Sequence, residues 1–310
     1  MTLTTVSSAV LRRASLPAAS LRGLDTWRQA PAFIDVGHSR LAYRRVGNGP
    51  DLLFVHGWPV SSSTFREVAA TLAEEFTCHL FDLPGAGLST STGDAPTELV
   101  SLADTTARVI DALHLKKVAL VAHNSGGAIS RLAAVQRPNN VRCIVSGNTE
   151  IPHHRPFVIR ALKILARTPG GAGVLKTMLH AGWLRRSRAI GFGSSFTDLA
   201  LLAEDSDFYA LTLAPLLADP RRLVDSLGFI RTFDFAVVDA LERAHAQIQT
   251  PTRLIWGARD RVFPLRAAKA MMSQFAGPVD LVEIPEGRLF AHEEFPHVFA
   301  AHAREFLRAL

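Results

Sequence analysis

Only two cysteines occur in 310 residues, and both fall inside apolar, strand-like runs, Cys78 in "FTCHLF" and Cys143 in "VRCIVS". Buried reduced thiols are therefore expected, not a disulfide or a zinc site, for which no ligand spacing exists. Also missing is any run of roughly 18 consecutive apolar residues, the length that a membrane-spanning helix requires. The longest apolar stretches carry Arg, Lys or Asp within them, so a soluble chain with no membrane partner is expected. A continuous basic run is absent too. The formal charge is +6, but the cations are spread out in short pairs such as Arg185-Arg186 and Arg221-Arg222, which argues against a nucleic-acid partner. Internal repeats and low-complexity segments are not found.

Acidic residues are lacking from the first 24 positions, which instead hold three arginines and many Ser, Thr and Ala. That composition suits either an organelle transit peptide or an N-terminal arm, residues 1–30, that packs on the body or frays. The expectation is the arm and a cytoplasmic protein; the alternative is an organelle.

What the chain does have is ample apolar material, 48% of residues, with regular punctuation from residue 31 onward. Short apolar strands alternate with amphipathic helices, the pattern of an α/β protein with a mostly parallel central sheet flanked by helices. "RLAYRRVG", "DLLFVHG", "FTCHLFDLPG", "KVALVAH" and "VRCIVSGN" read as strands, with helices near Phe65 to Glu75, in "SLADTTARVIDALHL", and from Gly127 to Arg137. After Ile151 no strand-like run recurs until "TRLIWG" at Thr252. The intervening segments, Pro156 to Arg167, Val174 to Arg186, Ser195 to Leu202 and Pro220 to Phe229, have helical periodicity between Gly and Pro breakers. An inserted helical cap over 152–245 is expected, with the core formed by 31–151 and 246–310. "VDLVEIP" and a helix from Glu294 to Leu307 close the chain.

The stretch "AHNSGG" has the form of a nucleophile elbow, in which a strand turns sharply into a helix and the apex residue is held in a strained backbone conformation. Small residues must flank the apex. Ala122 and Gly126 satisfy this if Asn124 is the apex, whereas Ser125 as apex would put bulky His123 at a position that tolerates almost no side chain. The apex is Asn124, a neutral amide.

Together with "HGWP" at His56 to Pro59, "DLPGAGLS" at Asp82 to Ser89 and "WGARDRVFP" at Trp256 to Pro264, the elbow gives an ordered set of motifs. Through that set, from about Phe33 to Leu310, the chain resembles the α/β-hydrolase superfamily. Within it the likeness is to the epoxide hydrolases and haloalkane dehalogenases, which carry caps and usually have Asp at the apex. The resemblance implies an α/β-hydrolase fold and a cofactor-free hydrolase. It also implies an oxyanion hole formed by the backbone N–H groups of Trp58 and Ser125. The Trp58 indole has two readings, a donor to halide or substrate oxygen, or an apolar wall. The Ser125 hydroxyl reads more simply as a helix-start group than as a nucleophile. Asp260 stands where the family places the acid that orients the catalytic histidine, unless it merely caps its loop. Glu150 stands where some dehalogenases carry that acid, or it lines the cap hinge. The histidine slot itself, in "EGRLFAHEEFP", holds Leu289. His292, three residues on, could take over if the loop is reshaped, or simply start the closing helix. His123, beside the apex, reads as a packed strand-end residue before it reads as a base.

Aromatics of the cap, Phe192, Phe196, Phe208 and Tyr209, are candidates either for a pocket wall or for ordinary helix packing. If they face inward, the substrate is small and mostly apolar. "DLPGAGLS" lacks the G-x-G-x-x-G spacing of a nucleotide loop, and no cofactor or metal is expected. The partner is a small molecule, and the chain a monomer or homodimer.

With Asp at the apex, a carboxylate would attack carbon and histidine-activated water would cleave the ester. Asn124 cannot begin that reaction, so it is a deliberate trap, a natural replacement, or a precursor that regains Asp by deamidation. The leading expectation is a hydrolase of epoxides, alkyl halides or esters seen with an amide at its nucleophile position. The alternative is a non-hydrolytic member, a lyase, isomerase or ligand-binding protein, that has lost nucleophile and histidine.

Overall fold

The computed structural model describes residues 15–16, 21, 24–91, 97–189 and 192–310. Most of the expected N-terminal arm before residue 24 thus lies outside the described residues. Of its described part, β1 (Ser15–Leu16) pairs parallel with Arg45 and Val46, and Trp27 of the short helix α1 (Leu24–Arg28) is buried beneath the Arg44 guanidinium.

Strands β2 (Ala32–Asp35), β3 (Ser39–Val46) and β4 (Asp51–Val55) precede helix α2 (Arg66–Leu72), β5 (Thr77–Phe81), β6 (Thr90–Ser91), α3 (Leu99–Ala112) and β7 (Val118–Ala122). Helix α4 (Ser125–Gln136) and β8 (Val141–Gly147) follow. The sheet runs β1-β3-β5-β4-β7-β8-β9-β10, where β9 is Thr252–Gly257 and β10 Val279–Ile284; β2 and β6 also pair with β3. From β5 to β10 all neighbours are parallel, and β3 runs antiparallel to β2, β5 and β6.

The strand sequences explain this placement. All five residues of "VALVA" in β7 are buried, as befits a strand covered on both faces. Alternate side chains of β4 and β7 feed opposite layers: Leu53, Val55 and Leu120 join the cluster holding Leu102 and Ile129, while Leu52, Phe54 and Val121 join Val68, Phe299 and Leu307. Cys78 and Cys143 are free and buried in the second layer, and burial pushes both thiols up.

Among the described residues between β8 and β9, the regular elements are all helical: α5 (Phe157–Arg167), α6 (Gly171–His180), α7 (Gly182–Arg185), α8 (Ala214–Ala218), α9 (Pro220–Thr232) and α10 (Phe235–His245), with short 3-10 and π turns among them. The continuous helix expected from Val174 to Arg186 is broken at Ala181, because Arg185 folds back and donates from Nη1 to the carbonyls of Leu179 and His180 at 2.7 and 3.1 Å. The helix expected over Ser195 to Leu202 is instead two 3-10 turns, Phe192–Ser195 and Leu199–Leu202. Between them the N–H groups of Thr197 and Asp198 turn away to the Glu294 carboxylate. Helices α11 (Leu265–Met271), α12 (Ala291–Glu294) and α13 (Pro296–Arg308) complete the chain.

Candidate functional site

In an open parallel sheet, functional groups gather beyond the carboxyl ends of the strands. Here the segments after β4, β7, β8, β9 and β10 supply His56 to Pro59, Asn124, Asn148 to Glu150, Asp260 and Leu289 respectively. Asn124 is the apex: φ 54°, ψ −137°, a region costly for a residue other than glycine. Its backbone N–H is fixed on Asn148 O at 2.7 Å. The bend is possible because its neighbours have no side chains to collide. A Cβ on Gly126 would lie 2.0 Å from Val55 O, and one on Gly57 would lie 2.6 Å from the Asn124 Cβ.

Asn124 faces a cavity of about 120 Å³. A cavity of about 150 Å³ lined by apolar side chains holds benzene, so the space suits a ligand of that order. Glu150, Leu289 and Phe290 line it from the sheet side. Ile159 and Leu162 of α5, and Leu175 and Leu179 of α6, cover it. Trp58, Pro59 and Phe229 separate it from a smaller void of about 60 Å³.

The two N–H groups expected to form an open anion cradle are both occupied. Ser125 N–H donates to Asn124 Oδ1 at 2.5 Å, and Trp58 N–H donates to the Ser125 hydroxyl at 3.0 Å. Ser125 is thus the helix-start residue, with a hydroxyl that satisfies backbone. The Trp58 indole does not reach for a halide, because it donates to Ser226 O of α9 at 2.8 Å and pins that helix over the site. The Asn124 amide donates to Trp58 O at 3.2 Å, which leaves its second N–H directed elsewhere.

Asp260 orients no histidine. Its Oδ2 accepts from Asn148 Nδ2 at 2.8 Å and its Oδ1 from Val262 N–H at 2.7 Å. Burial pushes the carboxyl up to about 7 against these stabilising hydrogen bonds. Glu150 meets no imidazole among the described residues either. It lies at the cavity, where its Oε2 accepts from Thr149 Oγ1 at 3.0 Å, and burial raises its carboxyl while the buried Arg131 guanidinium pulls the other way. The residue that meets Asp260 is Asn148, which the sequence reading passed over. Its position at the very end of the strand "VRCIVSGN" was the available signal.

His292 does not take over the slot held by Leu289. It sits in α12, fully buried, with Nε2 bonded to Thr64 Oγ1 at 2.8 Å, its ring 4.0 Å from that of His123, and it does not border the cavity. The loop cannot carry it further, because α12 is held at both sides. Glu293 accepts from Arg66 at 2.8 and 3.1 Å, and Glu294 accepts from the backbone of Thr197 and Asp198. His123 donates from Nε2 to Leu289 O at 2.7 Å and is likewise packed away. Burial lowers both imidazoles, that of His123 to about 3, so both are neutral.

Of the cap aromatics, Phe192 lines the cavity and Phe208 and Tyr209 do not. Phe208 is buried edge-on against Phe196 and Phe290, which stack on each other at 4.8 Å. Tyr209 lies under the Arg185 guanidinium, 4.4 Å from ring centre to charge. The cavity is therefore mostly apolar, with the amide of Asn124 and the carboxyl of Glu150 among its few polar groups and no imidazole among its described lining residues.

Comparisons with known proteins agree with this architecture. The family model described as alpha/beta hydrolase fold matches residues 50–296. Haloalkane dehalogenase 2 of Mycobacterium tuberculosis is 28% identical over 275 residues, covering 87% of this chain and 92% of that protein. Among solved structures, haloalkane dehalogenase DbeA from Bradyrhizobium elkani superposes with a TM-score of 0.74 at 22% identity, covering 89% of this chain and 97% of its own. The epoxide hydrolase CorEH superposes with a TM-score of 0.75 at 18% identity, covering 89% and 98%. The chain belongs to the α/β-hydrolase fold family.

Proposed function

We propose that the chain binds a small, mostly apolar molecule in the cavity beneath its cap and does not process it through a covalent ester. The observation that carries this reading is that Asn124 and Leu289 both line the cavity: one is an amide whose delocalised lone pairs are weak nucleophiles, and the other is an alkyl side chain where water activation needs an imidazole. The remaining polar groups suit binding. Asn124 has one amide N–H to offer a ligand acceptor, and Glu150 has a carboxyl to offer a donor.

A second reading, hydrolysis of an epoxide, alkyl halide or ester, is favoured by those hydrolytic relatives. Two measurements on the native chain separate the readings. Thermal unfolding is followed with benzene-sized alcohols, halides and epoxides, and product release is assayed with the same compounds and matched esters. Ligand at 100 times its Kd stabilises by about 2.7 kcal/mol, so an upward Tm shift without product is expected. Turnover that Asn124→Ala abolishes would establish the hydrolytic reading instead.

A further inference from the structure

Between Glu150 and Asp198 the sequence holds eight Lys and Arg and no acidic residue, so the rest of the chain carries 26 basic against 28 acidic residues. This segment builds α5, α6 and α7, which pack one on the next. Their inner faces line the cavity. Their outer faces are unusual in what they show to water: Phe157 is 81% exposed, Trp183 73% and Ile164 69%. On α5, Phe157, Arg160, Ile164 and Arg167 follow helical spacing along a single exposed stripe, alternating apolar and cationic groups. Arg160 and Lys176, both exposed, have no ion-pair partner among the described residues.

We propose that this cap face docks on a bilayer surface containing anionic phospholipid. Exposed aromatic and aliphatic groups set among unpaired cations, on helices too short to span, are the makings of an interfacial contact: apolar side chains enter the headgroup boundary and the cations meet phosphate and carboxylate. No helix among the described residues is long and apolar enough to cross a membrane, so the contact is peripheral. A protein partner would need acidic groups matched to each cation, whereas an anionic bilayer supplies diffuse negative charge together with an apolar interior. Val158 connects the face to the site, since it is 41% exposed and also lines the cavity. The inference goes beyond the ligand-binding reading and stands if that reading fails.

The test uses the whole protein with vesicles of phosphatidylcholine alone and of phosphatidylcholine with phosphatidylserine, followed by co-sedimentation and tryptophan emission. Trp183 is the one exposed tryptophan of the four in the chain, so a blue shift reports its entry into the boundary. Binding and a blue shift are expected with phosphatidylserine, and both should weaken as salt rises. Arg160→Glu/Lys176→Glu should lower binding at least about tenfold, and Phe157→Ser/Ile164→Ser should abolish the blue shift, with Tm unchanged in each. The proposal is overturned if anionic vesicles fail to sediment the native chain, or if both double variants bind as it does. It is also overturned if the chain forms a concentration-dependent dimer that Ile164→Ser dissociates and vesicles do not capture it.

Discussion

The Asn124 amide closes on its own surroundings, with Oδ1 on the Ser125 N–H and Nδ2 on Trp58 O. It therefore holds the elbow through an acceptor that a carboxylate would share and a donor that a carboxylate lacks, while its delocalised lone pairs are poor nucleophiles toward carbon. Asp260 is likewise bonded to fixed groups of the fold and to no imidazole among the described residues. In the usual arrangement an imidazolium would stabilise its charge, but here an amide and a backbone N–H do so and burial prevails, leaving the carboxyl at about 7. A folded value above the unfolded one means that the native state binds the extra proton. The associated stability is complete below the ordinary carboxylate range and is lost as pH rises through about 7. Asp260→Asn has no such proton to lose. Urea unfolding from pH 4 to 8 should show the native chain losing ground to the variant up to neutrality, by no more than about 4 kcal/mol, with parallel behaviour above it. Parallel curves across the whole range would show that Asp260 is not held protonated.

At the scale of the element, the elbow depends on close backbone approach more than on its apex. Gly126→Ala drives a methyl group against Val55 O, a rigid backbone atom of β4, so α4 and β4 must part. A loss of at least about 1–3 kcal/mol in unfolding free energy is expected, with the ligand-induced Tm shift gone as well. Unchanged stability would mean that the turn is looser than described. The elements that were legible in advance are those whose signal is local: the buried strands "VALVA" and "DLLFV", and the amphipathic α3 and α5. Those that escaped were decided at long range. Residues 195–202 have helical periodicity, yet Glu294, about a hundred positions away, draws off the N–H groups that a helix would need. Arg185 ends α6 in the same way by capping its carbonyls. Helix α10 was readable, since Asp234 caps Ala236 N–H in an ordinary N-cap, and the absence of a flanking breaker hid it.

For the molecule as a whole, topology decides where chemistry can happen. Parallel strands β4, β7, β8, β9 and β10 deliver their carboxyl ends to one edge, and the long helical insertion after β8 covers it. The motifs "HGWP", "AHNSGG" and "WGARDRVFP" therefore converge on one cavity, but the partners that the candidate side chains meet differ from those the resemblance implies. Asn148 rather than Glu150 meets Asp260, and His292 lies behind Phe290, because the segment after β10 is locked by the Arg66–Glu293 ion pair. These are three-dimensional facts that no spacing encodes. The central proposal is that a ligand pocket survives while both halves of covalent hydrolysis are missing. Intact-mass measurement of Asn124→Asp and Asn124→Asp/Leu289→His, each incubated with a short alkyl halide, tests it most directly. The expected result is a persistent alkyl adduct on the single variant and continuing halide release only from the double variant. Repeated turnover by the single variant, or by the native chain, would contradict it.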